Sequence, residues 1–181
     1  MADCAVCYTI DPKMPEKEDL RSKLMTKNLP EQIFDVEYFV SKAKELEAMG
    51  ADMITIKDMA GLATPLDTAR IISKLKDTLT IPVDFHTHCT PGYGLASTFM
   101  AIVNGVDIVD TNLLFFSGGS AGPSYELIHL FCNKLGITLD GNVEVIAQLN
   151  RILKEIRVNS LAEVDSYKQI PIDFDIAIYL G

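Results

Sequence analysis

No apolar run in this 181-residue chain approaches the roughly 18 residues needed to span a bilayer. Met1 to Ile10 carries neither a basic leader region nor a cleavage site, so a cytoplasmic location is expected. Positive charge is scarce. Sixteen Lys and Arg against 25 Asp and Glu leave a net charge of -9 and a pI near 4.7, which excludes nucleic acid and anionic membrane surfaces as main partners because both repel it. No block of like charges is long enough to form a tail, and the GxxxxGK[ST] phosphate loop is absent. A second CxxC is also missing. Cys4 and Cys7 therefore lack the companions of a four-thiol metal site, and on an extended strand residues three apart lie roughly 10 Å from one another on opposite faces, too far for a disulfide. Both are expected to be small buried thiols. Cys132 is expected in the core, and four unpaired cysteines suit a reducing compartment.

What is present is ordinary for a globular domain with a substantial core: 48% hydrophobic and 23% charged residues. Short apolar runs alternate with amphipathic stretches. Strands are expected at Cys4 to Ile10, Asp52 to Ile56, Ile81 to Phe85 and Val106 to Val109. Helices are expected at Val36 to Met49 before Gly50, from Thr64-Pro65 with Thr64 as N-cap, at Leu95 to Val103 before Asn104-Gly105, at Pro123 to Leu135 before Gly136, and at Asn142 to Arg157. Near-continuously apolar strands separated by helices imply a parallel sheet covered by helices and joined by right-handed crossovers. Asp11 to Pro30 reads as a polar excursion with a short helix begun at Glu16 to Asp19. The tail from Val158 carries an apolar patch at Ile176, Ile178, Tyr179 and Leu180 to which no role is assigned.

The polar residues that interrupt this pattern share one address. Tyr8 and Thr9, Lys57 and Asp58, His86 and His88, and Asp110 and Thr111 lie at or just past the C-terminal ends of strands, where parallel α/β proteins build their sites. His86 and His88 are two apart, so a strand puts both imidazoles on one face, in reach of one ion. Lys57 ends another apolar strand. Burial disfavours its charge, and the neutral amine reacts with carbon dioxide to give a carbamate, an anionic oxygen ligand. The bland alternatives stay open at this point. Lys57 can be a rim lysine paired with Asp58 or Asp110, the histidines can orient substrate, Tyr8 can simply pack, and Thr90 can simply end the strand before Pro91. His129 reads as a structural histidine. The loop Ser117 to Pro123 reads either as a tight turn or as an anion cradle.

The segments Ile56-Lys57-Asp58-Met59-Ala60-Gly61, His86-Thr87-His88-Cys89-Thr90-Pro91-Gly92, Gly105 to Thr111 and Ser117-Gly118-Gly119 resemble the carboxyltransferase domain of pyruvate carboxylase, the oxaloacetate decarboxylase alpha subunit and the transcarboxylase 5S subunit, as does Cys7-Tyr8-Thr9. The resemblance implies an α/β fold, a partial TIM barrel of about four β/α units equivalent to the second half of the barrel (residues 1–140), with a C-terminal helix and tail (141–181). It implies a divalent metal (Zn, Mn or Co) held by Lys57 as a carbamate with His86 and His88, and a substrate pocket including Tyr8 and Thr90. It also implies carboxyl transfer between carboxybiotin and pyruvate or oxaloacetate, in which a Lewis acid stabilises the enolate. No lysine here has the Met-Lys-Met setting of a biotin acceptor, so biotin is expected on another domain or subunit.

The family's aspartate ligand, substrate-binding arginine and proton-transferring threonine lie in regions with no counterpart here. The chain is therefore expected to be a fragment or split half, with weak or absent activity alone and a homo- or hetero-oligomeric partner supplying the missing strands. Two other classes remain. A barrel of the HMG-CoA lyase and isopropylmalate synthase group shares the HxH motif but has HxHND where this chain has Cys89-Thr90, and it lacks the Lys57 ligand. The other is a non-catalytic assembly module of a biotin-dependent complex.

Overall fold

The computed structural model describes residues 1–10 and 33–160. Four parallel strands, β1 (Asp3–Cys7), β2 (Met53–Asp58), β3 (Val83–Thr87) and β4 (Ile108–Val109), form one sheet in sequential order. They alternate with α1 (Val36–Ala48), α2 (Pro65–Thr78), α3 (Gly94–Val103), a 3-10 turn at Leu114–Phe116, α4 (Tyr125–Lys134) and α5 (Val143–Asn159). The expected partial barrel of four β/α units is thus the observed architecture. The expected short helix at Glu16 to Asp19 and the apolar patch after Ile176 lie outside the described residues.

Local chemistry explains most boundaries. The Asp35 carboxylate accepts the Tyr38 N–H and starts α1, and Thr64 caps α2 by accepting from the Asp67 N–H with proline in the first turn. Helix α4 begins two residues later than its proline suggests, because Ser124 is the cap and accepts the Leu127 N–H. The β4 strand is shorter than expected: the Val106 N–H donates to Ala101 O and so belongs to the end of α3, while Asp107 Oδ2 accepts the Val83 N–H. Strands β2 and β3 run two residues beyond their apolar runs. Their backbone ladder continues through Lys57–His86 and Asp58–Thr87, of which the first pair faces the polar side and the second the helices.

The sheet has one apolar and one polar face. Val6, Ile54, Ile56, Val83 and Phe85, none more than 7% exposed, pack on Phe39, Ala43, Ile72, Leu75 and Ala101 of the helices. Burying each such side chain stabilises the fold by roughly 1.5–3 kcal/mol. The opposite face carries Asp3, Ala5, Cys7, Thr55, Lys57, Asp84 and His86, which pair in register across the strands. Cys7 is therefore exposed, against the expectation of a buried thiol, whereas Cys4 packs against the core and Cys132 is buried. The reason is parity: three residues along a strand cross from one face to the other. No helix among the described residues is long and apolar enough to cross a membrane.

Candidate functional site

Strand register brings the sequence-predicted residues together. Lys57 pairs with Cys7 on one side and His86 on the other, so all three project from the polar face at the C-terminal rim. His88 follows two residues after His86 on the same face. The two rings meet edge-on with centroids 5.1 Å apart, and His86 Nε2 lies 3.2 Å from His88 Nε2. The far nitrogens are both engaged, His86 Nδ1 at 2.7 Å from Asp110 Oδ2 and His88 Nδ1 at 2.6 Å from the Ser120 carbonyl. A carbonyl oxygen only accepts, so His88 Nδ1 carries the proton, and a carboxylate imposes the same on His86; these tautomers are assigned from the partners. With the protons on Nδ1, the two Nε2 atoms face each other across 3.2 Å.

The spacing fits a metal. Two nitrogens on one tetrahedral zinc at about 2.0–2.1 Å lie about 3.3 Å apart. The third donor on this face is Lys57. Among the described residues no group of three His, Cys, Asp or Glu side chains is placed to hold an ion; Lys57 lies next to His86 in the strand register.

The proposed alternative partners of Lys57 are occupied elsewhere. Asp58 is 1% exposed, turned toward the helices, and accepts from Leu62 N–H (2.9 Å), Ala63 N–H (3.0 Å) and the Thr87 hydroxyl (2.8 Å). It pins the loop leading into α2. Asp110 serves His86. No ion pair to Lys57 is found among the described residues.

Below the histidines lies a carboxyl pair that sequence reasoning missed. The Thr55 hydroxyl is 2.8 Å from Asp3 Oδ1 and 3.0 Å from Asp84 Oδ2, and its single proton serves only one of them. Burial, then the neighbouring Asp110, pushes the Asp84 carboxyl up to about 6 against the lowering effect of Thr55. Asp84 Oδ1 is buried without a partner. The signal was present, since Asp84 precedes His86 by two and shares its face, but Asp3 and Thr55 join it only through strand register.

Tyr8 is not brought to this face. Its ring stacks on Phe39 of α1 with centroids 5.2 Å apart, and burial raises its hydroxyl well above the usual phenol value, helped by Asp67 and Asp58. Thr90 is exposed and lines a cavity of about 360 Å³ with Cys89, Pro91, Gly118, Gly119 and Leu127. Burial raises the Cys89 thiol, whose sulfur lies close to Gly94 at the start of α3. His129 is 8% exposed, with Nδ1 at 3.4 Å from the Tyr125 hydroxyl, a structural histidine.

Residues 28–152 match the family model described as HMGL-like, well over half of the chain. The chain belongs to the HMGL-like family. Among its relatives, the pyruvate carboxylase of Staphylococcus aureus is 33% identical over 157 residues, 87% of this chain and 12% of that protein. The 4-hydroxy-2-oxovalerate aldolase of Chloroflexus aurantiacus is 37% identical over 101 residues, 56% of this chain and 29% of that one. The solved carboxyl transferase domain of Rhizobium etli pyruvate carboxylase with pyruvate superposes with a TM-score of 0.61 at 30% identity, covering 84% of this chain and 23% of that one. The chain spans less than a third of the length of each of these relatives. This HMGL-like chain thus has the fold of part of that carboxyl transferase domain, consistent with a partial TIM barrel.

Proposed function

We propose that this chain supplies the cation-binding half of a carboxyltransferase barrel that moves a carboxyl group between carboxybiotin and pyruvate or oxaloacetate. The observation that carries the reading is the 3.2 Å approach of His86 Nε2 to His88 Nε2, with both Nδ1 atoms held by acceptors, beside Lys57 on the paired strand. In this reading His86, His88 and Lys57 hold a divalent ion, zinc, manganese or cobalt. Such an ion supplies Lewis-acid stabilisation of charge developing on a substrate oxygen.

The lysine contributes as a carbamate. Its neutral Nζ lone pair bonds to the carbon of CO2, one C=O π pair moves onto oxygen, and the nitrogen proton passes to solvent, leaving an anionic oxygen donor. In this reading Thr90 would contact the substrate. Tyr8 faces the helices and is left out of the pocket. Biotin arrives on a carrier domain or another subunit.

The remaining strands come from a partner or from a further segment of the same polypeptide. Among the described residues strands β1 and β4 each have an open edge, and the polar face carries Asp3, Asp84 and Lys57. Mixing this chain with one supplying the first half of the barrel is expected to raise both zinc retention and oxaloacetate decarboxylation. Tight binding of one zinc by the isolated chain, with decarboxylation faster than free metal gives, would overturn the split-half reading. Unchanged metal stoichiometry in both Lys57→Ala and His86→Ala of the assembled barrel would overturn the site.

The aldolase relatives favour a second reading. Retro-aldol cleavage of a 4-hydroxy-2-oxo acid also passes through a pyruvate enolate, which the same ion would stabilise. Acetaldehyde released from 4-hydroxy-2-oxovalerate by the assembled barrel, without carboxyl transfer to or from biotin, decides for that chemistry.

A further inference from the structure

Each imidazole of the pair has its second nitrogen held by the segment that follows β3 in the sheet. Asp110 comes one residue after β4, and the Ser120 carbonyl comes from the glycine loop beyond it. We propose that Asp110 and the loop Ser117 to Gly122 are positioning elements that lock His86 and His88 as Nδ1–H tautomers, so that both Nε2 lone pairs converge. The inference rests on the reading of both histidines as ligands, but it concerns the groups behind them.

The loop is shaped for this task rather than for an anion. Gly118 and Gly119 have φ of +75° and +54°, a region that side chains disfavour, and they reverse the chain so that Ser120 O faces His88. The Gly118 N–H donates to Gly122 O at 2.9 Å, and the Ala121 N–H donates to Gly118 O at 3.0 Å, closing the loop on itself. The Cys89 N–H donates to Ala121 O at 2.9 Å, which ties the loop to the residue next to the imidazole it orients. Gly122 N–H donates to Asn112 Oδ1 at 2.8 Å, and a Cβ on Gly122 would lie 2.8 Å from that same oxygen, so the position admits only glycine without a shift. Asn112 is two residues from Asp110. One stretch, 110–122, thus carries both orienting acceptors and fastens itself to the end of β3.

The chemistry needs this arrangement. Were either ring free to place its proton on Nε2, an N–H would point at the other nitrogen and displace a cation. Groups that fix the tautomer of a ligating histidine are worth roughly 10–100-fold in metal affinity.

The test uses nitrogen-15 NMR of the metal-free full chain at a pH where the imidazoles are neutral, together with competition titration of zinc. Wild type is expected to show His86 and His88 as Nδ1–H tautomers. Asp110→Leu is expected to shift His86 to the Nε2–H form and weaken zinc binding about 10–100-fold. Asp110→Asn, whose amide oxygen still accepts, is expected to keep the Nδ1–H form and most of the affinity, and an unchanged His129 signal shows that the fold survives. Retention of the Nδ1–H form of His86 in Asp110→Leu overturns the proposal. If wild type takes up no zinc while Asp110→Leu still switches the tautomer, the positioning role stands and the metal reading is the one that fails.

Discussion

Replacing Asp58 tests how the rim of this half barrel is held. Its carboxylate receives three donors from two different elements, and both of its oxygens are used: Leu62 N–H on Oδ1, Ala63 N–H and the Thr87 hydroxyl on Oδ2. In Asp58→Ala the Ala63 N–H, on a residue 1% exposed, is stranded away from water, at a cost of about 1–3 kcal/mol. The Leu62 N–H, on a residue 37% exposed, regains solvent. The Thr87 hydroxyl turns to its weaker contact with His88 O at 3.2 Å. Each of those exchanges costs about 0.5–1 kcal/mol, giving a total loss of roughly 2–5 kcal/mol. Asp58→Asn should recover little, because the amide has one accepting oxygen and aims its NH2 at a donor. Urea unfolding followed by circular dichroism reads both variants. A double variant with Thr87→Val should lose less than the sum of the two single losses, by roughly 0.5–1 kcal/mol, since the two groups share one bond. If Asp58→Asn unfolds within about 0.5 kcal/mol of wild type, the carboxylate is not the staple described.

Other expectations follow from the same contacts. Lys57→Ala and His86→Ala should each abolish metal retention in the assembled barrel while His129→Ala leaves it intact, as measured by metal analysis after gel filtration. Gly61→Ala should disrupt the site end of β3: a Cβ there would meet His88 O at 2.3 Å and Pro91 Cδ at 2.9 Å, on a backbone at φ +69°. Gly50→Ala, with φ +99° but nothing within 4 Å, should cost only about 1 kcal/mol in urea unfolding. Asp107 gives a pH dependence. Burial raises its carboxyl, but the Lys76 ammonium and the Val83 N–H outweigh this and hold it below the usual carboxylate range. A depressed carboxylate stabilises above its unfolded value, about 4, and that contribution is lost as pH falls through the lower folded value. The urea midpoint of wild type should therefore drop more below pH 4 than that of Asp107→Asn, and equal slopes would contradict this.

The strand and helix order, the cap at Thr64, and the pairing of His86 with His88 on one face were all available from local spacing. Each depends on residues within a few positions of one another, and the periods of 2.0 and 3.6 are properties of the backbone itself. The position of Lys57 at a strand end was available for the same reason. Partnership was not. That Asp110 serves His86 and leaves Lys57 alone, that Asp58 faces the α2 loop, that Tyr8 stacks on Phe39, and that Asp3 shares a hydroxyl with Asp84 all depend on how one strand slides against the next. Register is set by the packing of Ile54, Ile56, Val83 and Phe85 under the helices and by where each loop delivers the following strand. The aim of the Ser120 carbonyl depends further on two glycines with positive φ. Sequence alone determined which chemistry the rim carries; tertiary structure decided which groups touch, because contacts between residues 20 to 50 positions apart follow from packing rather than from any local period.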